Sequence, residues 1–417
     1  MQIHVIGLGV AERVTLDRSV QAVLMSLTAQ DIVLGAPRQH ETLADIPHMA
    51  QSEVLPKLSQ LADKFNQWQH QGATQVVVLA SGDPLFFGIG AWLKRTFSES
   101  ASHLLTFYPN VSSIQVACHR LGISLQEAQV VSLHGRPLTS LRRALQSNKT
   151  LILLTDQNSQ PQAIAEECVA AGLDKSQITV CELLGYADEK IRSFRAAQLV
   201  DSEMSFDPLN VVVVKTASQT GFYPSAPGIP DHAFVTDKGE GKGMITKREV
   251  RLAILSYLNL QHGDTVWDIG AGCGGVSVEL AYWHTQTKVI AIEHHPERLA
   301  CLEANQARFG VTQNLSIVAG RAPEALADLP LPDKVFIGGS DGALAELMAD
   351  VWSLLPVGGC LMVSAVTENT KYQVMQFANI REFAQDTDEQ GIQLSVAKQG
   401  RLAGQRLYRP NLPVTLS

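Results

Sequence analysis

Asp268, Gly270, Gly272 and Gly274 are the residues of this chain whose types and spacing point most plainly to chemistry. They lie in Val266-Trp267-Asp268-Ile269-Gly270-Ala271-Gly272-Cys273-Gly274-Gly275, where an apolar run ends in an acid, then in alternate glycines, then in an apolar helical pattern. That order predicts a strand, a sharp turn and a helix N-terminus. Glycines let the backbone turn tightly and let a ligand lie directly against it. A second acid, Glu293, ends the next apolar run, 288–292. It falls about 20 residues further on, where a carboxylate can hold the hydroxyls of a ribose. The pattern predicts a site for an adenosine-containing cofactor.

Two cofactors compete for that site. Gly270, Gly272 and Gly275 satisfy the G-x-G-x-x-G spacing of dinucleotide sites. Asp268, Gly270, Gly272 and Gly274 equally satisfy acid-x-G-x-G-x-G, the pattern of S-adenosylmethionine sites. Charge favours the second. A carboxylate beside the helix N-terminus would repel a pyrophosphate, whereas a sulfonium and an ammonium group would be attracted. At this point the dinucleotide stays open as the alternative. The remaining predicted contacts of this half follow strand ends. Ala322 lies in the loop Ala319-Gly320-Arg321-Ala322-Pro323, suited to an adenine. Gly338, Gly339 and Ser340 leave room at the carboxyl ends of the strands. Upstream, Thr246 with Glu249 reads as a capping box, and Val250, Ile254, Leu255 and Leu258 continue as an apolar helical stripe. Lys238, Lys242, Lys247, Arg248 and Arg251 form either a solvated face or a clamp for an acidic substrate, because arginine binds carboxylates bidentately.

The N-terminal half carries different turns. Gly7-Leu8-Gly9 ends its first strand. Ala80-Ser81-Gly82-Asp83-Pro84 makes a rigid turn after another, and by itself would be an ordinary strand-to-helix connection. In Pro109-Asn110-Val111-Ser112-Ser113, Ser112 with Gln115 fits a capping box. In Leu133-His134-Gly135-Arg136-Pro137, nothing local activates His134, so a loop histidine is as good a reading as a catalytic one.

These turns need strands to place them. Short Val/Ile/Leu runs alternate with helical patterns almost throughout, which predicts α/β architecture with largely parallel sheets. Strands are expected over 3–6, 32–34, 76–80, 104–107, 130–133, 151–155, 179–182 and 210–214, then over 265–268, 288–292, 315–318, 334–337 and 360–364. A final antiparallel pair is expected near 393–398 and 406–408. Between the two sets lies a stretch rich in proline and glycine, including Pro224, Pro227, Pro230, Gly239, Gly241 and Gly243, with no surviving period. It predicts domains at 1–216 and 244–417 joined by a linker at 217–243. A length of 417 residues and 45% hydrophobic content supply apolar material for more than one core. A net charge of −8 argues against nucleic-acid binding, and any acidic substrate must meet a local basic patch. Six unpaired cysteines (118, 168, 181, 273, 301, 360) suit reduced thiols in the cytoplasm rather than disulfides or zinc, and no metal is expected. The start of the chain does not read as a signal peptide, and no apolar run reaches membrane-spanning length.

Together the four N-terminal motifs resemble the tetrapyrrole (corrin/porphyrin) methylase family. Pro227-Gly228-Ile229-Pro230-Asp231, Lys247-Arg248-Glu249-Val250-Arg251 and Trp267-Asp268-Ile269-Gly270-Ala271-Gly272 resemble a class I methyltransferase of the cobalamin pathway. The resemblance covers essentially the whole chain. It implies an N-terminal tetrapyrrole-methylase-like domain of two α/β subdomains and a C-terminal Rossmann-like class I methyltransferase sheet. It implies S-adenosylmethionine bound twice, once per domain. Contacts carry over to Thr246, Asp268, Gly270, Ala271, Gly272, Cys273, Gly274, Glu293 and Ala322. In the N-terminal half they carry over to Gly7, Gly9, Gly82, Asp83, Pro84, Ser112 and Ser113. Lys247, Arg248, Arg251, Gly338, Gly339 and Ser340 become the substrate-side candidates. The implied substrate is a precorrin macrocycle, metal-free or cobalt-bearing, methylated at carbons 5 and 15 and relieved of the carboxylate of its ring C acetate. A homo-oligomer, with no nucleic-acid or membrane partner, completes the expectation. One departure stands out. Where the family's first glycine loop continues Pro-Gly-Asp, this chain has Val10-Ala11-Glu12.

Overall fold

The computed structural model describes residues 1–97, 104–239, 242–384, 388 and 390–417. Glu240 and Gly241 of the expected linker lie outside the described residues. The chain divides into two compact units, residues 1–136 with 147–220 and residues 137–146 with 221–417.

The first unit holds two five-stranded sheets. One contains β1 (Gln2–Gly7), β2 (Ile32–Gly35), β3 (Gln51–Val54), β4 (Gln75–Ala80) and β5 (Leu104–Tyr108), in the order β3-β2-β4-β1-β5 and wholly parallel. Both of its faces are covered. Ile3, Val5, Val76 and Val78 pack with Phe65 and Trp68 on one side, and Ile6, Val77 and Leu79 pack with Val20 and Leu24 on the other. Burial on both faces is why these strands read as continuous apolar runs.

The second sheet contains β6 (Gln129–Ser132), β7 (Thr150–Leu154), β8 (Gln177–Glu182), β9 (Lys190–Arg195) and β10 (Asn210–Lys215), in the order β6-β7-β10-β8-β9. Only β6 and β7 run parallel; β10 is antiparallel to β7 and β8, and β9 to β8. The expectation of largely parallel sheets therefore fails here, because β8 returns directly into β9 with no crossover helix between them. In this unit the strands missed by sequence are β3 and β9, the polar edges of their sheets.

The second unit is built on a seven-stranded sheet. Its strands are β11 (Thr265–Ile269), β12 (Lys288–Glu293), β13 (Leu315–Ala319), β14 (Lys334–Ile337), β15 (Cys360–Ala365) and β16 (Ile392–Leu394). After a separate hairpin of β17 (Ala397–Leu402) and β18 (Gln405–Pro410), β19 (Val414–Leu416) completes it. The order is β13-β12-β11-β14-β15-β19-β16, parallel through β15 and antiparallel at β19 and β16. An antiparallel edge exists as expected, but residues 406–408 are not in it; among the described residues β18 pairs with β17 alone, and β19 takes the place in the sheet. Because β11 sits between β12 and β14, the chain reverses its winding direction there, which opens a crevice at the carboxyl ends of the strands.

Residues 221–239 pack onto this unit. Tyr223, Ile229, Ala233 and Phe234 are buried, and the backbone N–H groups of Gly228 and Ile229 donate to Glu279 at 2.8 and 3.0 Å. Among the described residues no helix is long and apolar enough to cross a membrane.

Candidate active sites

In the first unit the glycine turns converge. The Gly82 N–H donates to the Gly9 carbonyl at 3.0 Å, and the Asn110 side-chain amide donates to the Gly7 carbonyl at 3.0 Å. The chain needs glycine at both early positions. A Cβ on Gly7 would lie 2.5 Å from the Gly82 carbonyl oxygen, and one on Gly9, whose φ is +70°, would lie 2.8 Å from the Asn110 side-chain oxygen. Ser112 caps the helix Ser113–Leu121 through both bonds of the predicted box, from Gln115 N–H to Ser112 Oγ at 3.2 Å and from Ser112 N–H to Gln115 Oε1 at 2.9 Å. These loops wall a cavity of about 850 Å³, with Gly9, Gly82, Asp83, Ser112 and Ser113 among its lining residues. Gly7 and Pro84 do not line it. They pack on each other beneath the turn. Asp83 is turned back on its own loop, accepting from the N–H groups of Leu85 and Phe86 at 2.8 and 3.0 Å. Val10 and Ala11 also line the cavity, so the altered glycine loop still faces it.

In the second unit β11 ends in Gly270, Gly272 and Gly274, all left-handed at φ +72°, +59° and +85°. Gly274 then caps the helix Gly275–Trp283. A Cβ on Gly272 would lie 2.5 Å from the Met244 carbonyl oxygen, so residues 243–247 seat directly on the turn. Glu293, at the end of β12, organises it from the other side. One carboxylate oxygen accepts the Gly272 N–H at 2.8 Å; the other accepts the His294 and His295 N–H groups at 2.8 and 2.9 Å. The resulting cavity, about 330 Å³, is lined by Thr246, Lys247, Gly270, Ala271, Gly272, Glu293, Ala322, Gly338, Gly339 and Ser340 from the sequence-derived set.

Five members of that set do not line it. Asp268 is buried, and its carboxylate accepts the Ser277 hydroxyl; burial pushes its pKa up to about 6. It is tied to the helix that follows the turn and does not line the cavity. Cys273 is buried against Asp237, with its thiol pushed up to about 12 by burial, and Gly274 packs on Leu302. Arg251 corrects the substrate assignment most clearly. It is 0% exposed, and its guanidinium is paired to Glu279 and Asp231 at 2.8 Å each and bonded to the carbonyls of Thr246 and Ile229. Four of its five N–H donors are bonded within the protein, and its burial keeps it out of the cavity. With Glu279 it holds the segment 228–231 and the 246–247 loop to the helix Gly275–Trp283. Arg248 is exposed but does not line the cavity. The predicted Thr246 cap is also replaced. Lys247 occupies the N-cap position of the helix Arg248–Leu258, and Asp231 accepts the Arg248 N–H at 3.0 Å.

The structure adds charged residues that the sequence did not single out. Arg38, Arg95 and Arg136 line the first cavity, and Arg298, Arg321, His294 and Asp341 line the second. Arg136 and Arg321 stood inside recognised motifs, but Arg38 and Arg95 sit on helices without any, and only the fold brings them in. Among the described residues one trio, Glu293, His294 and His295, has the geometry to hold a metal. Three backbone N–H groups already orient the Glu293 carboxylate.

Comparison with known proteins matches two stretches of the chain to family models. Residues 3–200 match the Tetrapyrrole (Corrin/Porphyrin) Methylases, and residues 237–416 match the Precorrin methyltransferase domain. A precorrin-6Y C(5,15)-methyltransferase [decarboxylating] of Sinorhizobium sp is 38% identical over 386 residues, covering 92% of this chain and 88% of that one. Its counterpart in Mycobacterium tuberculosis is 32% identical over 347 residues, 81% of this chain and 80% of that one. A protein of Methanothermobacter thermautotrophicus, named "Probable cobalt-precorrin-6B C(15)-methyltransferase (decarboxylating)", is 35% identical over 148 residues, 36% of this chain and 75% of that one. On the extent of the first two matches, the chain belongs to the precorrin-6Y C(5,15)-methyltransferase (decarboxylating) family.

Proposed function

We infer that each unit carries its own S-adenosylmethionine-dependent methyl-transfer site, and that the two act on one precorrin-6Y macrocycle at carbons 5 and 15. The loss of the acetate carboxylate belongs to the second unit. The observation that carries this reading is the pair of separate cavities, one per unit, each walled by its own glycine turn at the carboxyl ends of a parallel sheet. The short C(15)-methyltransferase (decarboxylating) relative supports keeping that carbon and the decarboxylation together in one unit.

The residues suit the cofactor. In the second cavity Glu293 is fixed by three N–H groups and lines the space beside the bare backbone of Gly270 and Gly272, an arrangement fit for a ribose diol and the chain that follows it. S-adenosylmethionine, when bound, supplies a methyl group already activated on a sulfonium. The protein's task is then to orient and to exclude water. Arg38, Arg95 and Arg136 in the first cavity, and Lys247, Arg298 and Arg321 in the second, give an acidic chain two local basic surfaces for the carboxylates of the macrocycle. In the decarboxylation the C–C bond to the carboxylate breaks, carbon dioxide leaves, the electron pair is held by the conjugated ring, and a proton from solvent adds at the former acetate carbon to complete a methyl group.

The test is a count. Full-length protein incubated with precorrin-6Y and methyl-labelled cofactor is expected to place two labelled methyl groups on each macrocycle and to release one carbon dioxide. The Glu293→Gln protein is expected to place one and release none. Two methyl groups and full carbon dioxide release from that variant contradict the assignment.

A further inference from the structure

The glycine turn at the end of β11 is flanked by the loops that follow β12 and β14. A bridge of side chains joins those loops. Asp341 follows β14, His294 follows β12, and Arg321 follows β13, one strand further out. A single oxygen, Oδ2 of Asp341, meets Arg321 Nη2 at 2.9 Å and His294 Nε2 at 3.3 Å. The other ring nitrogen of His294 lies 3.6 Å from Glu293 Oε1, and the second oxygen of Glu293 holds the Gly272 N–H. One polar chain therefore runs from the glycine turn to Arg321, and all five residues line the second cavity. Neighbouring strands lie about 4.8 Å apart, so the step from the β14 loop to the β12 loop crosses about 10 Å. That is the crevice in which ligands of open α/β sheets lie.

The local backbone is built for this. Asp341 adopts a left-handed conformation at φ +48° and is followed by Gly342 at φ +91°. A short polar residue tolerates that region better than most. The Arg321 hydrogen bond, ahead of the nearby histidines, holds the Asp341 carboxyl below the usual carboxylate range, so it stays charged. Its side chain is 45% exposed and that of Arg321 61%, too open for the pair to matter to the stability of the fold. Its placement across the cavity is what remains to be explained.

We propose that Asp341, Arg321 and His294 form a latch across the cofactor cavity of the second unit, which must open for the adenosine-containing product to leave. The proposal rests on that cavity being a cofactor site. Asp341 is a positioning residue in it, acting through the two loops it ties.

Dissociation of labelled S-adenosylhomocysteine from the full chain tests it, with Glu293→Gln identifying the phase that belongs to the second unit. Asp341→Asn and Asp341→Gly are each expected to speed that phase about tenfold, the loss of one charge-assisted contact, and to leave the other phase and the unfolding midpoint of the unliganded protein unchanged. Glycine accepts the same φ, so its variant separates the carboxylate from the backbone. Arg321→Ala combined with Asp341→Asn is expected to be no faster than Asp341→Asn alone, because the Arg321 contact runs through the Asp341 carboxylate. An unchanged phase in both Asp341 variants overturns the latch. If Glu293→Gln removes no phase, the cofactor reading itself falls, and the latch with it.

Discussion

Asp268 illustrates how a residue can be right in type and different in role. Its charge favoured a cationic cofactor, yet in the structure it is buried against Ser277, with a pKa raised to about 6 by that burial. The sign of its effect on stability follows. An unfolded Asp ionises near pH 4, so between about pH 4 and 6 the folded chain binds the extra proton, and stability falls as pH rises through that window. About 3 kcal/mol is lost by neutral pH. Asp268→Asn is expected to remove this slope, gaining stability relative to the parent as pH goes from 4 to 7; denaturant titrations of the second unit at both ends of the range check it. Parallel behaviour of the two proteins contradicts the assignment. Arg251 carries a second expectation at this scale. Arg251→Met leaves Glu279 without its cation and Asp231 with only the more distant Lys398, and removing one partner of a buried pair costs about 3–5 kcal/mol. Its unfolding midpoint is expected to drop sharply, whereas Arg248→Met, at an exposed position, is expected to leave it in place. Burial separates these two arginines, and from sequence they were indistinguishable members of one cluster.

At the scale of elements, the turns were legible because their constraints are local. Gly272 and Gly274 are left-handed where glycine spacing said a turn must be, and the Ser112–Gln115 capping box forms as the two residue types require. Ser112→Ala is expected to cost about 1 kcal/mol, and to weaken ligand binding in the first cavity, which Ser112 lines. Gly274→Ala puts a side chain at a left-handed position against Leu302, and is expected to destabilise the second unit while sparing the first. Thermal melts resolved by unit distinguish the two variants. Where a constraint came from elsewhere in the fold, the sequence misled. Thr246 and Glu249 had the right spacing for a cap, but Asp231, 17 residues upstream of Arg248, supplies it. The polar edges β3 and β9 lacked the apolar signal altogether, and the hairpin of β17 and β18 looked like sheet because its alternation is that of any strand pair.

For the whole molecule, the resemblance was legible from motifs in both halves, and the family match over most of the chain agrees with it. The convergence of Arg38, Arg95 and Arg136 on one cavity was not legible, since it depends on which strands neighbour which. The central claim is two cofactor sites in one chain, and equilibrium dialysis of S-adenosylhomocysteine against the full-length protein tests it directly. The parent is expected to bind two per chain. Gly82→Val, with a branched side chain at φ +68° close to Ser112, is expected to bind one, Glu293→Gln the other one, and the double variant none. A parent that binds only one, or a single variant that loses both or neither, contradicts the account.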